Sequence, residues 1–146
     1  MYLLLFLAFA GTQVAAPSAE TQSDEIQRIQ AIIDEFSARL EIAGRVSVLV
    51  VNQDKRLVSV RRSNDRKDLF LLCFDQSFLT ALTEEEIRAA IAHEFGHIWI
   101  FTHHPYLQTE DLANRTAMQL VSRESLEKVY TKVTQFGGKK QDLKSD

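Results

Sequence analysis

Between Leu82 and Pro105 the chain has little conformational freedom. Thr83 followed three residues later by Glu86 is a Ser/Thr-x-x-Glu capping box, and Glu84 and Glu85 add negative charge to the turn it opens. Ile87, Ala90, Ile91 and Phe95 then recur at three- and four-residue spacing, and Ile98, Trp99 and Ile100 continue the apolar content. Pro105 cannot continue a helix and pushes His104 away from helical geometry. Together these signals predict a helix over residues 84–102.

That helix carries His93-Glu94-Phe95-Gly96-His97. Histidines four residues apart leave a helix from one face, about 6 Å from each other, and can share one Zn²⁺ through bonds of about 2.0–2.1 Å. Glu94 would sit beside the ion, placed to take a proton from a zinc-bound water. The bland alternative is a helix whose histidines are ordinary core or surface residues and whose glutamate is solvated. Gly96 weighs against it, because glycine inside a helix costs about 1 kcal/mol relative to alanine and calls for a packing or functional reason.

The rest of the chain bounds the architecture. With the first twenty of its 146 residues set aside, it is large enough for one hydrophobic core and not for two. Net charge is −3 with the two signs interspersed, which gives no electrostatic footprint for nucleic acid. The cluster Arg61, Arg62, Arg66 and Lys67 is broken by Asp65 and Asp68 and reads as a solvated loop. Cys73 has no internal partner for a disulfide and behaves as a small buried hydrophobe.

Residues 1–19 read as a secretory signal peptide, with an apolar run from Tyr2 to Ala10 followed by small and polar residues, although no Lys or Arg stands near Met1. This predicts a secreted or periplasmic protein, an uncleaved membrane tether being the lesser alternative. No membrane span is expected, because the apolar run is about half of the roughly 20 residues a bilayer requires. Residues 20–136 form the folded domain and 137–146 a disordered polar tail.

Within the domain, Ile26, Ile29, Ile33, Phe36 and Leu40 mark an amphipathic helix over residues 23–43, with Gly44 past its end. Val46-Ser47-Val48-Leu49-Val50-Val51 reads as a strand, and the polar turn Asn52-Gln53-Asp54-Lys55 leads into Arg56-Leu57-Val58-Ser59-Val60 to complete a hairpin. Leu69-Phe70-Leu71-Leu72-Cys73-Phe74 is a third strand, and Phe78, Leu79 and Leu82 form a short helical turn. Two further helices follow Glu110, one reaching about residue 121 and one over residues 124–136.

The stretch Leu82-Thr83-Glu84-Glu85-Glu86-Ile87-Arg88-Ala89-Ala90-Ile91-Ala92-His93-Glu94-Phe95-Gly96-His97 resembles the zinc helix of the gluzincin metallopeptidases. It is most similar to the heat-shock and CAAX-prenyl protease family and to its small soluble relatives, the minigluzincins. The resemblance covers roughly residues 45–121. In that family the third zinc ligand is the Glu of a Glu-x-x-Ala-Asp motif. Glu110-Asp111-Leu112-Ala113-Asn114 is similar, with Asn114 in place of the aspartate that would orient a ligand.

The resemblance implies an α+β fold: a minimal zincin-like domain with a small sheet packed on an N-terminal helix, a zinc-binding active-site helix and a C-terminal ligand helix. It implies one Zn²⁺ per chain on His93, His97 and Glu110, with Glu94 as general base and Asn114 bonded to one of the histidines. It also implies a peptide or protein substrate lying along the strand at residues 69–74 by strand addition.

His103 and His104 stay open as third ligands. His93, His97 and His103 have metzincin spacing, but Ile100 stands where that pattern has its glycine. His103, His104 and Tyr106 are candidates for an alternative ligand or for stabilising an oxyanion, with Tyr130 and Arg115 as further sources of an electrophile. The expected activity is zinc-dependent endopeptidase hydrolysis. The alternatives are a zinc-stabilised binding or regulatory module without turnover, which would have no use for Glu94, and an autoinhibited zymogen of the same fold.

Overall fold

Ile29, Ile32, Ile33 and Phe36, one side of a helical repeat, are buried on the first helix of the computed structural model, which describes residues 18–142. This helix, α1 (Ala19–Arg39), is capped by Ser18, whose hydroxyl accepts from the Thr21 N–H. The expected signal segment lies outside the described residues up to position 17. α1 ends earlier than Gly44 suggested. Glu41 takes φ 51°, and the N–H groups of Ile42 and Glu41 bond the carbonyls of Ser37 and Ala38, a Schellman closure built on a non-glycine residue.

Three strands follow: β1 (Arg45–Val51), β2 (Val58–Arg62) and β3 (Leu69–Asp75). The expected hairpin between the first two strands is not formed. The order is β1-β3-β2, with β1 parallel and β2 antiparallel to β3. The physical reason lies in side-chain composition. β3 is an almost unbroken apolar run suited to a position paired on both sides and covered by other elements, whereas β2 ends in Arg61 and Arg62 and tolerates an edge. β3 therefore has no free backbone edge for a substrate strand. The edge next to the helix that carries the histidines belongs to β2.

Past α2 (Gln76–Thr80), capped by the buried Asp75, comes α3 (Glu84–His103). Its capping box is present in full, Thr83 accepting from the Glu86 N–H and Glu86 from the Thr83 N–H. Ala89, Ala90, Ile91, Ala92, Phe95 and Ile98 are all buried, as befits a helix enclosed by other elements. Phe70, Leu72 and Phe74 of β3 share the core with α1 and α3, where Phe36 and Phe95 meet edge to face at 6.0 Å. A bidentate Arg88–Glu35 pair, at 2.8 and 3.0 Å, ties α3 to α1.

A short 3-10 turn, Pro105–Leu107, leads to α4 (Glu110–Ala117) and then α5 (Arg123–Asp142). α5 is fastened to the start of α3 by Lys132 on Glu86 at 2.6 Å and by Ser125 on Glu85 at 2.6 Å. It runs through Gly137 and Gly138 to Asp142, so the first part of the expected disordered tail is helical. A glycine costs a helix about 1 kcal/mol but ends it only where the backbone turns left-handed, and Gly137 stays helical. None of the described helices is long and apolar enough to cross a membrane.

Candidate metal centre

α3 brings His93 and His97 to one face, one turn apart, and α4 begins opposite them. Thr109 caps α4 by accepting from the Leu112 N–H, which sets Glu110 in its first turn. The His93 Nε2 lies 3.2 Å from the His97 Nε2 and 3.2 Å from Oε2 of Glu110, and the His97 Nε2 lies 3.3 Å from Glu110 Oε1. Ligands bonded at 2.0–2.1 Å around a tetrahedral ion are about 3.3 Å from one another, and the three side chains meet as a triangle at separations of that size, Glu110 presenting a different carboxylate oxygen to each histidine.

The donor set points the same way. Nδ1 of His93 donates to Asn114 Oδ1 at 2.9 Å, and Nδ1 of His97 donates to Gln108 Oε1 at 3.0 Å. With both Nδ1 atoms engaged by amide oxygens, Nε2 is the ring atom left to bind a metal, and the two Nε2 atoms face each other and a carboxylate. Burial, helped by the charge of His97, lowers the His93 pKa against the opposing effects of Asn114 and Glu110, and so favours the neutral ring that binds metal. Among the described residues, His93, His97 and Glu110 are the group able to hold an ion.

Gly96 explains how α4 comes so near. A Cβ there would lie 2.8 Å from the Cα and carbonyl carbon of Ala113 and closer still to its carbonyl oxygen. The helices touch backbone to backbone at this point, and Glu110 and Asn114 flank the contact on α4.

Glu94 is buried beside the triangle and lines depressions on both sides of it, of 340 and 190 Å³. Burial pushes its pKa up to about 8, opposed by a hydrogen bond from the Val60 backbone N–H and reinforced by the charge of Glu110. Tyr130, from α5, reaches the same place. Its hydroxyl donates to Glu110 Oε2 at 3.2 Å and accepts from Asn114 Nδ2 at 3.3 Å, and its ring stands edge-on to that of His93 at 5.6 Å. Its pKa is raised by burial first, Asn114 opposing and Glu110 assisting.

The other sequence candidates lie elsewhere. Nδ1 of His103 bonds the Trp99 carbonyl at 2.9 Å and its ring stacks on the Trp99 indole at 4.3 Å, so it closes the end of α3. His104 is the residue at which the chain leaves α3, with φ −143°, and its ring also meets Trp99. Tyr106 is 99% exposed on the connecting turn. None of the three joins the triangle or lines a described depression, because the turn at Pro105 carries the chain past the ion position before α4 returns to it. Arg115 pairs with Asp111 at 2.7 Å on the exposed side of α4. Gln108, which holds His97 from both its ring and its carbonyl, escaped sequence reasoning, since a loop glutamine belongs to no periodic pattern.

The model of peptidase family M48 matches residues 23–145. The chain belongs to that family. It is thus a metallopeptidase by descent, of a family that implies a divalent metal, and His93, His97 and Glu110 could hold such an ion. The crystal structure of the metallopeptidase zymogen of Methanocaldococcus jannaschii jannalysin is similar in fold, with a TM-score of 0.52 and 18% identity, over 73% of this chain and 94% of that one. No curated protein matches the sequence.

Proposed function

We propose that this M48 chain is a zinc-dependent endopeptidase, with His93, His97 and Glu110 as the ligands and Glu94 as general base. The observation that carries the reading is the convergence of two Nε2 atoms and a carboxylate at separations close to those between ligands of a tetrahedral zinc site. Bound there, zinc would polarise the scissile carbonyl and lower the pKa of water toward 7.

The chain's own groups do the rest. Asn114 and Gln108 fix the tautomer and tilt of the two rings. Glu94 accepts the proton of the attacking water and returns it to the leaving amine. The Tyr130 hydroxyl, beside Glu110, is placed to donate to the oxygen that gains charge. The peptide would lie along the free edge of β2 rather than along β3.

A zinc-stabilised module without turnover is the weaker reading. Among the described residues the donor group has three side chains, as in catalytic sites that keep one position for water, and a buried carboxylate stands next to it. The test is zinc content and casein hydrolysis on one preparation, with Glu94→Gln beside it. About one zinc per chain in both proteins and hydrolysis only by the wild type support the proposal, whereas undiminished hydrolysis by the variant rejects the role of Glu94.

A further inference from the structure

In β2, Val58, Val60 and Arg62 stand opposite Phe74, Leu72 and Phe70 of β3, so all three share the face that looks onto α3. Val58 lines the 190 Å³ depression on one side of Glu94, and Arg62 the 340 Å³ depression on the other. Each side has its own wall. The smaller has Val58, Ala90, Val129 and Val133, with Arg56 and Glu110 also on its lining. The larger has Arg62 over the ring of Phe101, which meets that of Phe70 edge to face at 5.8 Å.

Arg62 is held before anything binds. Its Nε donates to the Lys67 carbonyl at 2.7 Å, and its guanidinium carbon lies 5.4 Å from the centre of the Phe101 ring. No carboxylate among the described residues forms an ion pair with it. One N–H and one face of the fork are therefore fixed while the terminal nitrogens have no anionic partner. A pre-oriented guanidinium of this kind suits a carboxylate.

We propose, building on the peptidase reading, that the cleft selects extended peptides carrying an aliphatic side chain for the Val129–Val133 side and an acidic side chain for Arg62. Val58 and Arg62 are four residues apart on the strand the peptide would follow. The acidic residue therefore falls about four positions from the aliphatic one, with the bond to be cut between them.

The experiment uses internally quenched peptides with one Leu and with Glu, Gln or Lys placed two to five positions to either side. Zinc-loaded wild type is assayed for cleavage, and zinc-loaded Glu94→Gln for binding by fluorescence anisotropy. At one position Glu should be preferred over Lys by about tenfold or more, the size of a charge-assisted hydrogen bond. Arg62→Gln should level that ratio and Arg62→Glu invert it, while Val133→Phe should shift the aliphatic preference from Leu to Ala. Cleavage with a Glu-to-Lys ratio within twofold, or a ratio that Arg62→Glu leaves intact, overturns the inference and leaves the peptidase reading standing. Ranked binding without cleavage does the reverse. Neither binding nor cleavage of any peptide overturns both.

Discussion

The backbone of Ala113 occupies the space in which a side chain on Gly96 would begin. This one contact sets the separation of α3 and α4, and through it the reach of Glu110 to the two histidines. Gly96→Ala should gain the roughly 1 kcal/mol of helix propensity that glycine forgoes and lose about 1–3 kcal/mol to overpacking, with α4 displaced. The expected result is a lower melting temperature and zinc affinity weakened by an order of magnitude or more. Unchanged affinity would show that α4 is seated by other contacts.

Glu110→Ala should weaken zinc binding beyond the roughly 10–100-fold that loss of an orienting partner costs, because it removes a donor outright. His103→Ala and His104→Ala should leave affinity within a fewfold of wild type, since their rings belong to the end of α3. Competition against a chromophoric chelator ranks the three variants. A ranking led by either histidine variant would refute the ligand assignment.

Asn114 and Gln108 should matter one step removed from the ion. Asn114→Ala and Gln108→Ala each free one imidazole to rotate and to change tautomer, and each should cost about 10–100-fold in zinc affinity. Asn114→Asp should do the opposite, because a carboxylate raises the basicity of His93 more than an amide oxygen does. Isothermal titration at fixed pH distinguishes the cases, and equal affinities for Asn114→Ala and Asn114→Asp would dismiss the orienting role.

Stability of the metal-free protein should depend on pH through Glu94. The folded state keeps this proton to about pH 8, whereas the unfolded chain releases it near the ordinary glutamate value of 4.5. Between those values the folded state holds more protons, so stability falls as pH rises and levels off above 8. Thermal melts at pH 5.5 and 8.5 should show the loss in wild type with chelator present and a smaller one in Glu94→Gln. Zinc should flatten the wild-type profile, because a nearby dication favours the carboxylate. Equal pH dependence in the two metal-free proteins would contradict the shift.

What could be read from the sequence was local. Thr83, Glu86 and the two histidines announce α3 because capping and i,i+4 spacing are decided within one helix. Gly96 signalled a constraint by its cost, but the cause lies on α4 and is invisible from position 96. Glu110 was reachable only through resemblance, since nothing in its own neighbourhood marks a ligand. Strand order failed for a related reason: proximity in sequence favours pairing β1 with β2, whereas burying the apolar run of β3 on both edges puts it between them. The end of α1 was misplaced because Glu41, not Gly44, takes the left-handed conformation.

The Val60 N–H that donates to Glu94 belongs to the edge strand on which a peptide would pair. One donor thus has two claimants, the carboxylate and an incoming backbone carbonyl. Seating the peptide would take from Glu94 the bond that steadies its charge, and a carboxylate deprived of such a bond becomes more basic. The appetite of this side chain for a proton would then rise with substrate arrival and subside on product departure, with no moving lid required.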